Sequence, residues 1–100
     1  MSARTAARRG AKWLDEQRPG WARYVKIKSL HMDECENCVL GQLEGRYSAA
    51  LEQYRLLIGQ EFDLGFDKRP WTIGVDGYGD LTAAWKDEIR ARRKPKAVSA

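Results

Sequence analysis

Between Val39 and Ile58 apolar side chains return every three or four residues, as Val39, Leu43, Tyr47, Ala50, Leu51, Tyr54, Leu57 and Ile58. That spacing is the period of an α-helix with one apolar face, and such a face needs other elements to cover it. Asp33 followed three residues later by Glu36 has the geometry of a capping box, each carboxylate accepting an otherwise unpaired first-turn N–H, so a central helix is predicted from Glu34 to Ile58. Gly41 and Gly45 fall inside it, where each costs up to about 1 kcal/mol relative to alanine. The expected compensation is close approach of another helix or of a Trp ring to bare backbone; a groove for a partner's side chain is the functional alternative. Gly59 is placed to bend or break the helix, and Gly65 to stop the next helical stretch in a left-handed cap.

Two further helices flank this one. Residues 5–17 are good helix formers, with Thr5 as the predicted cap and Ala7, Ala11 and Leu14 along one side; Arg18-Pro19-Gly20 ends the run. Trp21, Ala22 and Val25 suit a turn of helix, and Val25 and Ile27 alternating with lysines suit an extended segment after it. Near the C-terminus Asp80 is the predicted cap of a helix whose face is Leu81, Ala84, Trp85 and Ile89, with Pro95 as its stop. The stretch between, "RPWTIGVDGYGD", is rich in breakers and reads as a loop with one short strand. The predicted fold is therefore mainly α: a small single domain, residues 1–94, of three to four helices around a long central helix, with at most a short β-strand or hairpin. Residues 95–100 are expected to be a disordered basic tail.

The chain has 100 residues, 43% of them hydrophobic, with four Trp, four Tyr and two Phe. Each aromatic can remove about 150–250 Å² from water, enough for a single core without disulfides. No run of about 18 apolar residues exists, and no apolar segment comes after the basic start "MSARTAARRGAK", so neither a membrane span nor a secretory signal is expected. A cytoplasmic protein is expected, in which two cysteines are thiols or metal ligands sooner than a disulfide.

"HMDECENC", residues 31–38, holds the single histidine and both cysteines. Zinc needs four ligands, usually in two close-spaced pairs, and His31, Cys35 and Cys38 supply three. A redox Cys-x-x-Cys comes after a buried strand, and the lysine-rich segment before His31 is a poor one. The remaining reading makes the stretch a helix start, with Cys38 at the edge of the buried stripe and Cys35 at the open end. On that reading the purified protein carries no stoichiometric metal, Cys35→Ser is nearly silent, and Cys38→Ser costs about 1 kcal/mol by placing a hydroxyl against the core. No nucleophile elbow, phosphate loop or zinc-protease motif is present, so neither an enzyme nor a cofactor is expected.

Formal charge is +4, from 18 basic and 14 acidic side chains, with much of the excess at the ends. Arg4, Arg8 and Lys12 share one helical face with Arg9 beside them, and Arg90, Arg92, Arg93, Lys94 and Lys96 form a second cluster. If the ends met in the fold they would make one stripe for contacting phosphates, as a non-specific nucleic-acid-binding protein requires. The other class is an interaction protein. Trp21, Tyr24, Trp71 and Tyr78 lie outside the helical stripes, and Trp and Tyr are over-represented in binding hot spots, so at least two of them should be exposed and adjacent.

"WLDEQRPGW" (13–21), "CVLGQ" (38–42), "LGFD" (64–67) and "LTAAWKDEI" (81–89) together resemble a group of small uncharacterised proteins of actinobacterial phages, especially mycobacteriophages. The likeness runs from Gly10 to Arg93. It implies an accessory protein made in the host cytoplasm that acts by binding a host or phage protein; it assigns no catalytic or binding residue.

Overall fold

The computed structural model describes residues 2–57, 59–67 and 77–93. The predicted helical class holds, and no strand occurs among the described residues. In chain order the helices are α1 (Ala3–Gln17), α2 (Val39–Glu44), α3 (Tyr47–Gln53), α4 (Gln60–Asp63) and α5 (Tyr78–Arg93), with 3₁₀ turns at Trp21–Tyr24 and Ile27–Ser29. The predicted short strand within 69–80 and the predicted tail lie largely or wholly outside the described residues. No helix of the described residues is long and apolar enough to cross a membrane.

α1 starts earlier than predicted because Ser2, not Thr5, caps it: the Ser2 hydroxyl accepts the Thr5 N–H at 3.1 Å. Its buried face is made of small residues, Ala3, Ala7, Gly10 and Ala11, ending in Leu14. Other backbone therefore lies directly on it. A Cβ on Gly10 would overlap the Leu64 carbonyl oxygen and stand 2.8 Å from the Trp85 ring. Trp85 in turn donates its indole N–H to the Gly65 carbonyl at 2.6 Å. Gly65 has φ +72°, the left-handed stop predicted for it.

α5 buries the predicted Leu81, Ala84, Trp85 and Ile89, but it begins at Tyr78, with Asp80 inside its first turn. Contacts climb along α1 and α5 together: Gly10 meets Trp85, and Asp15 meets Arg92. The two helices thus run in the same sense. Phe66 stacks on Trp85 with ring centroids 5.4 Å apart, and Trp21 meets the same ring edge-on at 5.7 Å.

The central region departs most from the sequence reading. Instead of one helix over 34–58, two short helices cross the span. α2 begins only at Val39, because residues 31–38 form successive turns and Cys38 is the cap, its Sγ accepting the Gly41 N–H at 3.2 Å. The Asp33–Glu36 box is not used. Gly45, at φ +93°, ends α2, and the Tyr47 N–H that would continue it donates to the Cys35 carbonyl at 2.9 Å. α3 then ends at Gln53, closed by the left-handed Arg55, φ 54°, beyond its cap, where the Leu56 N–H reaches back to the Leu51 carbonyl at 3.0 Å in a Schellman-type closure. Gly59, the predicted break, opens α4 instead. Leu57, assigned to the buried stripe by periodicity, is left 74% exposed.

Gly41 is compensated by close approach as predicted, although the neighbour is neither a helix nor a Trp: a Cβ there would overlap the carbonyl oxygen of Cys35. Gln42 fixes the segment predicted to be extended. Its side-chain oxygen accepts the Lys26 N–H at 2.6 Å, while its amide donates to the Lys26 and Asn37 carbonyls at 3.2 and 3.0 Å. One side chain thus does for residue 26 what a neighbouring strand would do.

Candidate binding pocket

The turns at 31–38, the first residue of α3, the chain just after α4 and the first residue of α5 converge on a pocket of about 90 Å³. Its position is fixed from several sides. The Met32 N–H donates to the Thr82 hydroxyl at 3.0 Å, tying the turns to α5, and Gly41 lets the Cys35 carbonyl sit against α2. Phe66, buried in the aromatic stack, forms part of the wall, and Met32 and Cys38 are buried beside it.

Among the described residues the polar lining holds Asp33, Glu34 and Asp67 and includes no Lys, Arg or His. Tyr78 donates its hydroxyl to Asp67 at 2.6 Å. That bond, together with burial and the Asp67 charge, pushes its pKa up to about 12. The Tyr47 hydroxyl is buried and has no hydrogen-bond partner among the described residues. Burial first, and then the charges of Asp67 and Glu61, hold it well above the ordinary tyrosine range.

Three of the sequence-derived candidates meet here: Cys35, Cys38 and Tyr78. The thiols differ as the sequence reading expected. Cys35 is exposed, whereas Cys38 is 1% exposed and burial pushes its thiol pKa up. His31 is exposed and does not line the pocket. Among the described residues no three His, Cys, Asp or Glu side chains come together as a metal ion would need. Tyr47, Phe66 and Asp67 are missed as site residues by sequence reasoning, which offers Asp33 only as a helix cap or a fourth zinc ligand, since nothing local relates positions 33, 47 and 67.

The aromatic surface proposed from the sequence is not assembled as expected. Trp21 is a core residue, 1% exposed, because its 3₁₀ turn tucks the ring onto Trp85 while its N–H finds Asp15 at 2.9 Å. Tyr24 is 64% exposed and lies under the Arg18 guanidinium, 5.9 Å from ring centre to carbon. Trp71 lies outside the described residues.

The basic ends meet, but acids occupy the seam. Arg92 donates from Nε and Nη2 to the two oxygens of Asp15, both at 2.9 Å, and from Nη1 to Glu88 at 2.9 Å. Arg93 caps the Ala22 and Val25 carbonyls, and Arg90 pairs with Asp87 at 3.6 Å. Arg8 approaches Glu88 at 4.0 Å. The single phosphate-binding stripe is therefore divided: Arg4, Arg9 and Lys12 remain exposed on α1, while Arg92 and Arg93 serve the fold. Lys94 and Lys96 lie outside the described residues.

No family model, curated protein or solved structure matches this chain.

Proposed function

We propose that the chain is a small phage accessory protein that works in the host cytoplasm as an interaction module, docking on a host or phage protein rather than catalysing a reaction. The observation that carries this reading is the pocket itself, a concave site walled by Met32, Phe66, Tyr47 and Tyr78 with Asp33 and Cys35 beside them. Support comes from the resemblance to small phage proteins and from the exposed Tyr24 with Arg18 over it, the residue types that anchor interfaces. The test is capture from host lysate by the tagged chain in parallel with Cys35→Trp, which places an indole at the pocket mouth. A host protein retained by the wild-type chain and lost with Cys35→Trp, both proteins having the same circular dichroism, supports the reading. Equal capture by the two refutes docking through this pocket.

The exposed Arg4, Arg9 and Lys12 on α1 favour a second reading, non-specific nucleic-acid binding confined to that helix. It requires DNA binding that weakens steeply with salt, and a gel-shift series blank at low salt removes it.

A further inference from the structure

We infer that a single strand of nucleic acid lies along residues 23–28, with its phosphates on Arg23, Lys26, Lys28 and Arg93 and a base against Tyr24. This surface shares no residue with the pocket lining and does not rest on the docking reading; it is also distinct from the α1 face of the second reading. No acidic side chain occurs from Arg18 to Met32. Arg23, Lys26 and Lys28 are exposed, and none of their side chains makes an ion pair among the described residues. Arg93 joins them from the other end of the chain: its guanidinium donates to the Ala22, Arg23 and Val25 carbonyls and to no carboxylate among the described residues, so its charge adds to theirs. Arg8 and Arg92 are matched by acids instead, Glu88 and Asp15. Residues 23–28 span at most about 18 Å even when fully extended, so one strand can reach all of these cations.

The backbone that carries them is fixed in advance. Arg93 holds its carbonyls, Gln42 takes the N–H and C=O of Lys26 at 2.6 and 3.2 Å, and Trp21, Ala22 and Val25 are buried beneath, so little ordering cost remains for binding. Tyr24 sets this row apart from a merely solvated run of charge. It is 64% exposed, with Arg18 over one face at 5.9 Å from the ring centre, and an exposed ring beside cations is what single-strand binders use to stack a base. Glu44, the acid tied to Arg18, is also held by the Tyr54 hydroxyl at 2.7 Å. Duplex DNA keeps its base faces stacked inside, and an acidic peptide brings charge without a base, so neither makes equal use of Tyr24. Asp76 is the only acidic side chain outside the described residues, whereas Lys94 and Lys96 come after Arg93 in sequence, so the sign of this surface does not turn on them.

The experiment is fluorescence anisotropy of the full chain with a labelled oligothymidylate of about twelve nucleotides, against a duplex of the same length and a polyglutamate competitor of equal charge. Expected is micromolar binding at about 50 mM salt that weakens by about 20–50-fold at about 200 mM, the slope of three or four phosphates neutralised on a single strand. Lys26→Ala with Lys28→Ala should reduce that slope by about 1.4, and Tyr24→Ala should weaken binding by about fivefold or more with the slope unchanged. Arg4→Ala with Lys12→Ala removes the same charge from α1 and should bind as the wild type does, as should Cys35→Trp at the pocket. Equal weakening by the two double variants, or loss confined to the α1 variant or to Cys35→Trp, overturns the site. No binding at low salt, tighter binding of the duplex, or displacement of the strand by polyglutamate overturns the single-strand assignment. If the lysine double variant fails to fold, Tyr24→Ala alone decides, and unchanged binding by it overturns the inference.

Discussion

Replacing Gly41 by alanine should destabilise the protein, although the same change in an open helix stabilises it. In α2 alanine would gain up to about 1 kcal/mol of helix propensity. Against that gain, the new methyl overlaps the Cys35 carbonyl oxygen and stands 2.9 Å from its carbon, and both atoms are backbone that no rotamer change can move away. Overpacking of this kind costs about 1–3 kcal/mol. The displaced carbonyl also accepts the Tyr47 N–H that starts α3, a bond whose loss costs about 1 kcal/mol. The net loss is near 2 kcal/mol, which for a domain of this size lowers Tm by roughly 8–16 °C in a melt monitored by circular dichroism at 222 nm. A Gly41→Ala protein as stable as the wild type, or more so, would refute the packing of the 31–38 turns against α2.

The cysteines should separate sharply: Cys35 reacts with Ellman's reagent in the native protein, whereas Cys38 reacts only as the protein unfolds, measured by absorbance at 412 nm. Because Cys38 is a helix cap whose sulfur accepts the Gly41 N–H, Cys38→Ser should be close to neutral instead of costly, and Cys38→Ala should lose about 1 kcal/mol in chemical denaturation; a serine variant worse than alanine would contradict the cap. On the alkaline side, the raised pKa values of Tyr47, Tyr54 and Tyr78 contribute stability present below pH about 10 and lost as pH rises through the folded values, so ultraviolet titration should find three tyrosines ionising late, together with unfolding. On the acid side, the Arg92 hydrogen bond lowers the Asp15 pKa, so its contribution is present above the ordinary aspartate value and is lost as pH falls below it; Asp15→Asn should flatten that limb of the stability profile.

The legible part of the sequence was local. α1 and the apolar face of α5 come from spacing and caps within one element, and the left-handed stop at Gly65 comes from the residue itself. The central region failed for the converse reason. Periodicity continues through Gly45 and Arg55, but Gly45 turns left-handed because Tyr47 finds a better acceptor in Cys35, and Arg55 does so without being glycine. The glycine at 45 is a possible stop but is indistinguishable by name from the helical Gly41, and nothing in the residue name marks Arg55. The stretches 13–21 and 38–42 have structural duties. Leu14, Asp15 and Trp21 hold α1 to α5, Arg18 pairs with Glu44, and Cys38, Gly41 and Gln42 set the turns around α2. The pocket could not be read, because Asp33, Tyr47, Asp67 and Tyr78 belong to four segments that only the tertiary fold unites.

The parallel pairing of α1 with α5 has a consequence for how the chain comes to be folded. Helices joined by a short turn can dock as they form, but the cover for α1 lies 77 residues away at the Asp15–Arg92 contact. During synthesis at about 5–20 residues per second, the Ala3–Leu14 face waits several seconds for its partner. Because that face is alanine and glycine rather than leucine and valine, it offers little for a chance hydrophobic contact to grip. The small-residue helix that permits tight packing at the end of folding thereby also keeps the nascent chain from sticking at the beginning.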